Sequence, residues 1–190
     1  MKRNEWAFES HIGFNRSWWS YYVQYRKVVR DIAESIQNGT NSIDGISLPL
    51  LFSIRHCVEL GLKANILEFE KLNNKILKLK LNGKGSHSLE MLYNRFIDHL
   101  KAYKNKYPLS IELEDQLKEY LSKFETLKDR LHKLDQNSFN FRYPVDTNGK
   151  YNFTWTIKEN LMDIIKAFNY IDPLLISTCD VLLPKLSNQD

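Results

Sequence analysis

The chain has 190 residues, a net charge of +4, 43% hydrophobic and 26% charged residues. That is enough apolar material for one domain with a sizeable core, and too mild a charge to demand a polyanionic partner. No run of about 18 apolar residues occurs and MKRNEWAFESHIGF lacks the apolar stretch of a secretory signal, so a membrane span and a cleaved leader are both excluded as expectations. Two isolated cysteines, Cys57 and Cys179, suit reduced thiols in a cytoplasm better than a disulfide framework.

Residues 1–16 read as irregular, with Trp6, Phe8 and Phe14 available to dock on the body. A helix is expected from Ser17, because Trp18, Tyr22, Tyr25, Val29, Ile32, Ala33 and Ile36 recur at intervals of three and four. Asn38-Gly39 stops it. With Trp18, Trp19, Tyr21 and Tyr22 so close together, this helix cannot turn all its rings into one core, and a partner surface is expected there.

The next helix, Ser47–Leu67, organises the chain. Ser47 suits an N-cap, and Pro49 is tolerated in a first turn, where its missing N–H has no partner anyway. At about 100° per residue its apolar side chains point in almost every direction, which predicts burial in the middle of a bundle, against at least three other helices. Arg55, Glu59 and Lys63 nevertheless lie four apart on one line, with His56 beside them. Such charges on a buried helix are costly unless paired.

KLNNKILKLKLNGK (71–84) carries five lysines and no acid, and reads as a solvated segment or a short strand over 76–81. Ser86 is the expected cap of a helix running to about Tyr103, and a further helix spans Ile111–Leu134. The periodicity then changes. Phe139, Phe141 and Tyr143 alternate with polar residues, and Asn148-Gly149 separates two such runs, which signals an aromatic β-hairpin over 137–155. Thr156 is the expected cap of the last helix, in which Pro173 should make a kink or a restart. The fold class expected is therefore all-α: one domain over 1–190, with five helices and a small hairpin before the last.

Phosphate-binding glycine loops, nucleophile elbows and metal-binding motifs are all missing, so neither a metal nor a cofactor is expected. The candidate residues are scattered. Arg55, His56, Glu59 and Lys63 form either a salt-bridge ladder or one wall of a cleft. His87, expected in a first helical turn, either assists the cap or is kept neutral by the helix dipole for chemistry. Arg142, flanked by Phe141 and Tyr143, suits phosphate contact with base stacking, or a buried pair with Glu59 or Asp135. Charges on separate buried elements tend to converge, so Arg55 or His56, Glu59, His87 and Arg142 are expected to share one site.

RHCVELGLKANI (55–66), SHSLEML (86–92) and DQNSFNFRYPVD (135–146) together resemble the HEPN superfamily of helical-bundle proteins, over roughly residues 20–170. The residues carrying the resemblance are Arg55, Glu59, Lys63, His87, Arg142 and Tyr143. It implies an up-and-down bundle of four or five helices, homodimerisation or another protein partner, and a role in prokaryotic defence, toxin–antitoxin or RNA-processing systems. RNA or a nucleotide is the ligand implied. Many members are metal-independent ribonucleases with an Arg and a His separated by four to six residues. Here Arg95 and His99 have only three between them, which departs from that pattern. Two functions follow: a nucleic-acid- or nucleotide-binding subunit, or a ribonuclease using His56 or His87 with Arg142.

Overall fold

The computed structural model describes residues 10, 16–72 and 86–186. The lysine run and its possible strand at 76–81, the docking of Trp6, Phe8 and Phe14, and the extreme tail fall outside the described residues. Five helices follow one another: α1 Trp18–Gln37, α2 Ile43–Leu72, α3 Leu89–Lys106, α4 Ile111–Leu134 and α5 Leu161–Leu186.

The spacing of apolar residues located every helix, and local chemistry moved several ends. Ser17 and Ser20 form a reciprocal capping box at the start of α1, and Gly39 closes its end at φ +74°. α2 begins before Ser47, with the Ser42 hydroxyl accepting the Gly45 N–H at 3.2 Å. Pro49 therefore lies inside the helix. The carbonyl it leaves unpaired belongs to Gly45, which is exposed and open to water. Ser88 rather than Ser86 caps α3, and Asn160 rather than Thr156 caps α5. α5 continues through Pro173 without a restart.

α2 is the central helix. From Leu50 to Leu72 only Lys71 is exposed, because α1, α3 and α5 each cover one side. Among the described residues it is the one helix long and apolar enough to cross a membrane by length and composition. Its apolar sides face other helices, as a core helix requires. Gly61 marks the tightest approach: a Cβ there would lie 3.0 Å from both Tyr22 of α1 and Leu175 of α5. The Tyr22 hydroxyl donates to Asp172 at 2.6 Å, and Arg26 joins the same carboxylate, tying α1 to α5.

Side-chain pairs also fix the direction of the helices. α1 runs antiparallel to α2, with Lys63 over the Trp18 ring and Tyr25 against His56. Glu59 pairs with His87 and Glu70 with Arg95, so α2 and α3 run parallel. The expected up-and-down order therefore fails between α2 and α3. α4 is antiparallel to α3 (Lys104–Glu114, Tyr93–Phe124) and to α5 (Tyr120–Tyr170, Arg130–Glu159).

Between α4 and α5 the aromatic alternation does not make a strand; among the described residues it leaves one antiparallel bridge, Val145–Tyr151. Backbone donors explain this. The N–H groups of Phe139 and Phe141 go to the Asp135 carboxylate, those of Arg142 and Tyr143 go back to the Phe139 carbonyl, and Pro144 has none. Four of the donors a ladder would draw on are thus already committed, and a fifth residue has none. Asn148-Gly149 does form the expected turn, with Gly149 at φ +77° and Asp146 accepting from Asn148 and Lys150.

Candidate functional site

The line of charges on α2 is a buried network centred on Glu59. Its carboxylate accepts from Arg55 Nη1 at 3.2 Å, Lys63 Nζ at 2.8 Å and His87 Nδ1 at 2.8 Å. Arg55 and Glu59 lie at 0% and 1% exposure. The rest of the Arg55 guanidinium serves backbone: Nε donates to the Asp135 carbonyl at 2.8 Å, and Nη2 to the carbonyls of His87 at 2.7 Å and Gln136 at 3.2 Å. One side chain thus joins α2 to the chain entering α3 and to the end of α4. The Asp135 carboxylate, 3.9 Å from Arg55 Nε, completes a set of two cations and two anions. Being balanced and closed, this set attracts no ligand by charge.

Burial raises the Glu59 carboxyl's affinity for its proton, but Lys63 and His87 outweigh it and hold the pKa below the usual carboxylate value. Glu59 is therefore an anion and can only accept, so Nδ1 of His87 carries the hydrogen. In the neutral ring this bond selects the tautomer with Nε2 as the acceptor. Among the described residues Nε2 makes no hydrogen bond, and the side chain is 52% exposed. His87 precedes the Ser88 cap, so it lies outside the first helical turn, and its partner is the carboxylate rather than the dipole.

His56 belongs to the surface rather than the network. Its half-buried ring stacks on Phe52 (centroids 5.5 Å apart, 8° between planes) and meets Tyr25 edge-on at 4.4 Å. Burial lowers its pKa below the ordinary 6.5. Arg142 does not pair with Glu59 or Asp135. Its Nε donates to the Ser138 carbonyl at 2.7 Å, and its exposed guanidinium lies 5.8 Å from the centre of Phe52 and 5.5 Å from that of Tyr143. Phe52 therefore joins His56 to Arg142, a role for which its position on an all-apolar helix gave no signal.

Lys63, at 2% exposure, serves Glu59 and the Trp18 ring and is not a surface cation. Of the Arg95–His99 pair, His99 is buried, stacks on Phe69, and approaches Glu70 together with Arg95. On α1, Trp18 and Trp19 pack partly buried on the core and Tyr22 is wholly buried, so of the four rings only Tyr21 faces out. Among the described residues no group of three or more His, Cys, Asp or Glu is placed to hold a metal.

His56 and Glu59 together set how stability responds to acid. The pKa of His56 is lower in the folded chain than in the unfolded one, so protons favour unfolding as pH falls below about 6.5. Glu59 also has a folded pKa below its unfolded 4.5, so its contribution is complete above 4.5 and fades as pH falls through the folded value. Both signs agree. The melting temperature is expected to decline gently from pH 7 to 5 and steeply below 4.5; a flat profile down to pH 4 would contradict this account.

No family model matches the chain, and neither a curated protein nor a solved structure does.

Proposed function

We propose that the chain is a HEPN-like, cytoplasmic subunit of a prokaryotic defence or RNA-processing system, and that it binds a nucleotide or single-stranded RNA at the surface formed by His87, His56, Arg142 and Tyr143. The observation that carries the reading is His87, half-exposed while its Nδ1 is anchored on a carboxylate that is almost wholly buried. A surface imidazole held so firmly, taken together with an exposed guanidinium over aromatic rings, would suit a phosphate next to a stacked base. Arg55, Glu59 and Lys63 position these groups and do not touch the ligand.

The test is binding of a fluorescent single-stranded RNA and of a fluorescent ATP analogue to the full chain. Arg142→Ala is expected to weaken binding about tenfold or more, as loss of a charge-assisted contact does, and to leave the melting temperature unchanged, since Arg142 is exposed. Absence of binding by the unaltered protein to either probe, or equal binding by the variant, would refute the site.

A second reading, metal-independent RNA cleavage, draws support from the same tautomer. In the neutral ring Nε2 of His87 is the acceptor that a general base needs, and the exposed Arg142 guanidinium would stabilise a charged phosphate. Cleavage of total RNA in EDTA that is lost in His87→Ala would favour it over binding alone.

A further inference from the structure

We propose that the groove beside the amino-terminal end of α2 is a homodimer interface, in which Trp155 of each copy enters the groove of the other. The groove, of about 510 Å³, is walled by Leu48, Leu51, Phe141, Phe153 and Leu161. At its rim stands Trp155, 90% exposed, among further exposed apolar side chains: Ile43, Leu48 and Ile157. An indole left so open beside a hollow lined with aromatic and aliphatic carbon is a knob next to a hole. Two copies related by a two-fold axis place each knob in the other's hole, as self-complementary interfaces do.

The charges in the groove favour a second copy over an unrelated partner. Of its three charged residues, Glu159 is already paired with Arg130. Asp44 and Lys158 are both exposed, and among the described residues neither makes an ion pair. A patch holding one unpaired acid and one unpaired base is complementary to itself: across a two-fold axis Asp44 meets the partner's Lys158, and the reverse contact forms on the other side. The exposed Tyr151 extends the same face. α1, with its aromatic rings mostly turned inward, offers less. This surface is separate from the His87–Arg142 face and does not depend on what that face binds.

Sedimentation equilibrium of the full chain tests the proposal. The unaltered protein is expected to dimerise at micromolar concentration, and Trp155→Ser to weaken the dimer about thirtyfold, since a central tryptophan commonly dominates such interfaces. Lys158→Glu, which sets two acids against each other, is expected to weaken it as well, and the exchange Asp44→Lys with Lys158→Glu to restore it. All the altered side chains are exposed, so circular dichroism melts should coincide at concentrations low enough for every form to be monomeric. A strictly monomeric protein would overturn the proposal and leave the groove to a different partner. A dimer insensitive to Trp155→Ser and to Lys158→Glu would overturn it too, because the interface would then lie elsewhere.

Discussion

Replacing Glu59 with alanine is expected to lower stability by about 3–5 kcal/mol, since removing one member of a buried ion pair strands the other without water. Here two cations are stranded. Arg55 and Lys63 are both wholly buried, and the remaining anion, Asp135, is 3.9 Å from Arg55 and is already committed to the N–H groups of Phe139 and Phe141. In a chain of this length, each kcal/mol is worth about 2–4 °C of melting temperature, so the drop is roughly 6–20 °C. Glu59→Gln keeps the shape but not the charge, and is expected to recover only a minor part. Urea denaturation measures both variants. A midpoint that stays put would mean that Arg55 and Lys63 reach water easily, and that the network stabilises nothing.

Arg55→Lys is expected to destabilise almost as much as Arg55→Ala, again by about 3–5 kcal/mol. The reason is geometric. The guanidinium donates to three carbonyls and one carboxylate in different directions, and a single ammonium on a flexible stem cannot reproduce that fork. Two of those carbonyls belong to Asp135 and Gln136, so the variant should also loosen the turn that carries Arg142, and the third frees the chain at His87. Hydrogen exchange at the amides of Phe139 and Phe141 reads this directly: faster exchange in Arg55→Lys at temperatures where the helices stay protected. Unchanged protection there would separate the turn from Arg55 and leave Asp135 as its only support.

Much of this was legible from residue order. The all-round apolar pattern of α2 predicts a helix enclosed by three others, and the spacing of Arg55, Glu59 and Lys63 offers a ladder as one of two readings, because residues four apart on a helix share a face. Both follow from local geometry. The join of His87 to Glu59 was expected only in outline, from the cost of leaving buried charges alone. Its opposite outcome at Arg142 shows the limit of that reasoning: an exposed guanidinium needs no carboxylate, and the Ser138 carbonyl and two aromatic rings suffice.

The sequence by itself determined the five helices, the identity of the core helix and the residue types that had to be neutralised within it, because each depends on periods of three and four or on the cost of burying a charge. Tertiary structure decided which partner each charge took, that α2 and α3 run parallel, and that FNFRY coils instead of pairing. The last of these turned on Asp135, whose carboxylate lies four and six residues before the N–H groups it accepts from. Alternating side chains record which residues favour a strand; they do not record where the backbone donors go. That depends on which acceptors the rest of the fold brings within reach, and here Arg55 holds the nearest one in place.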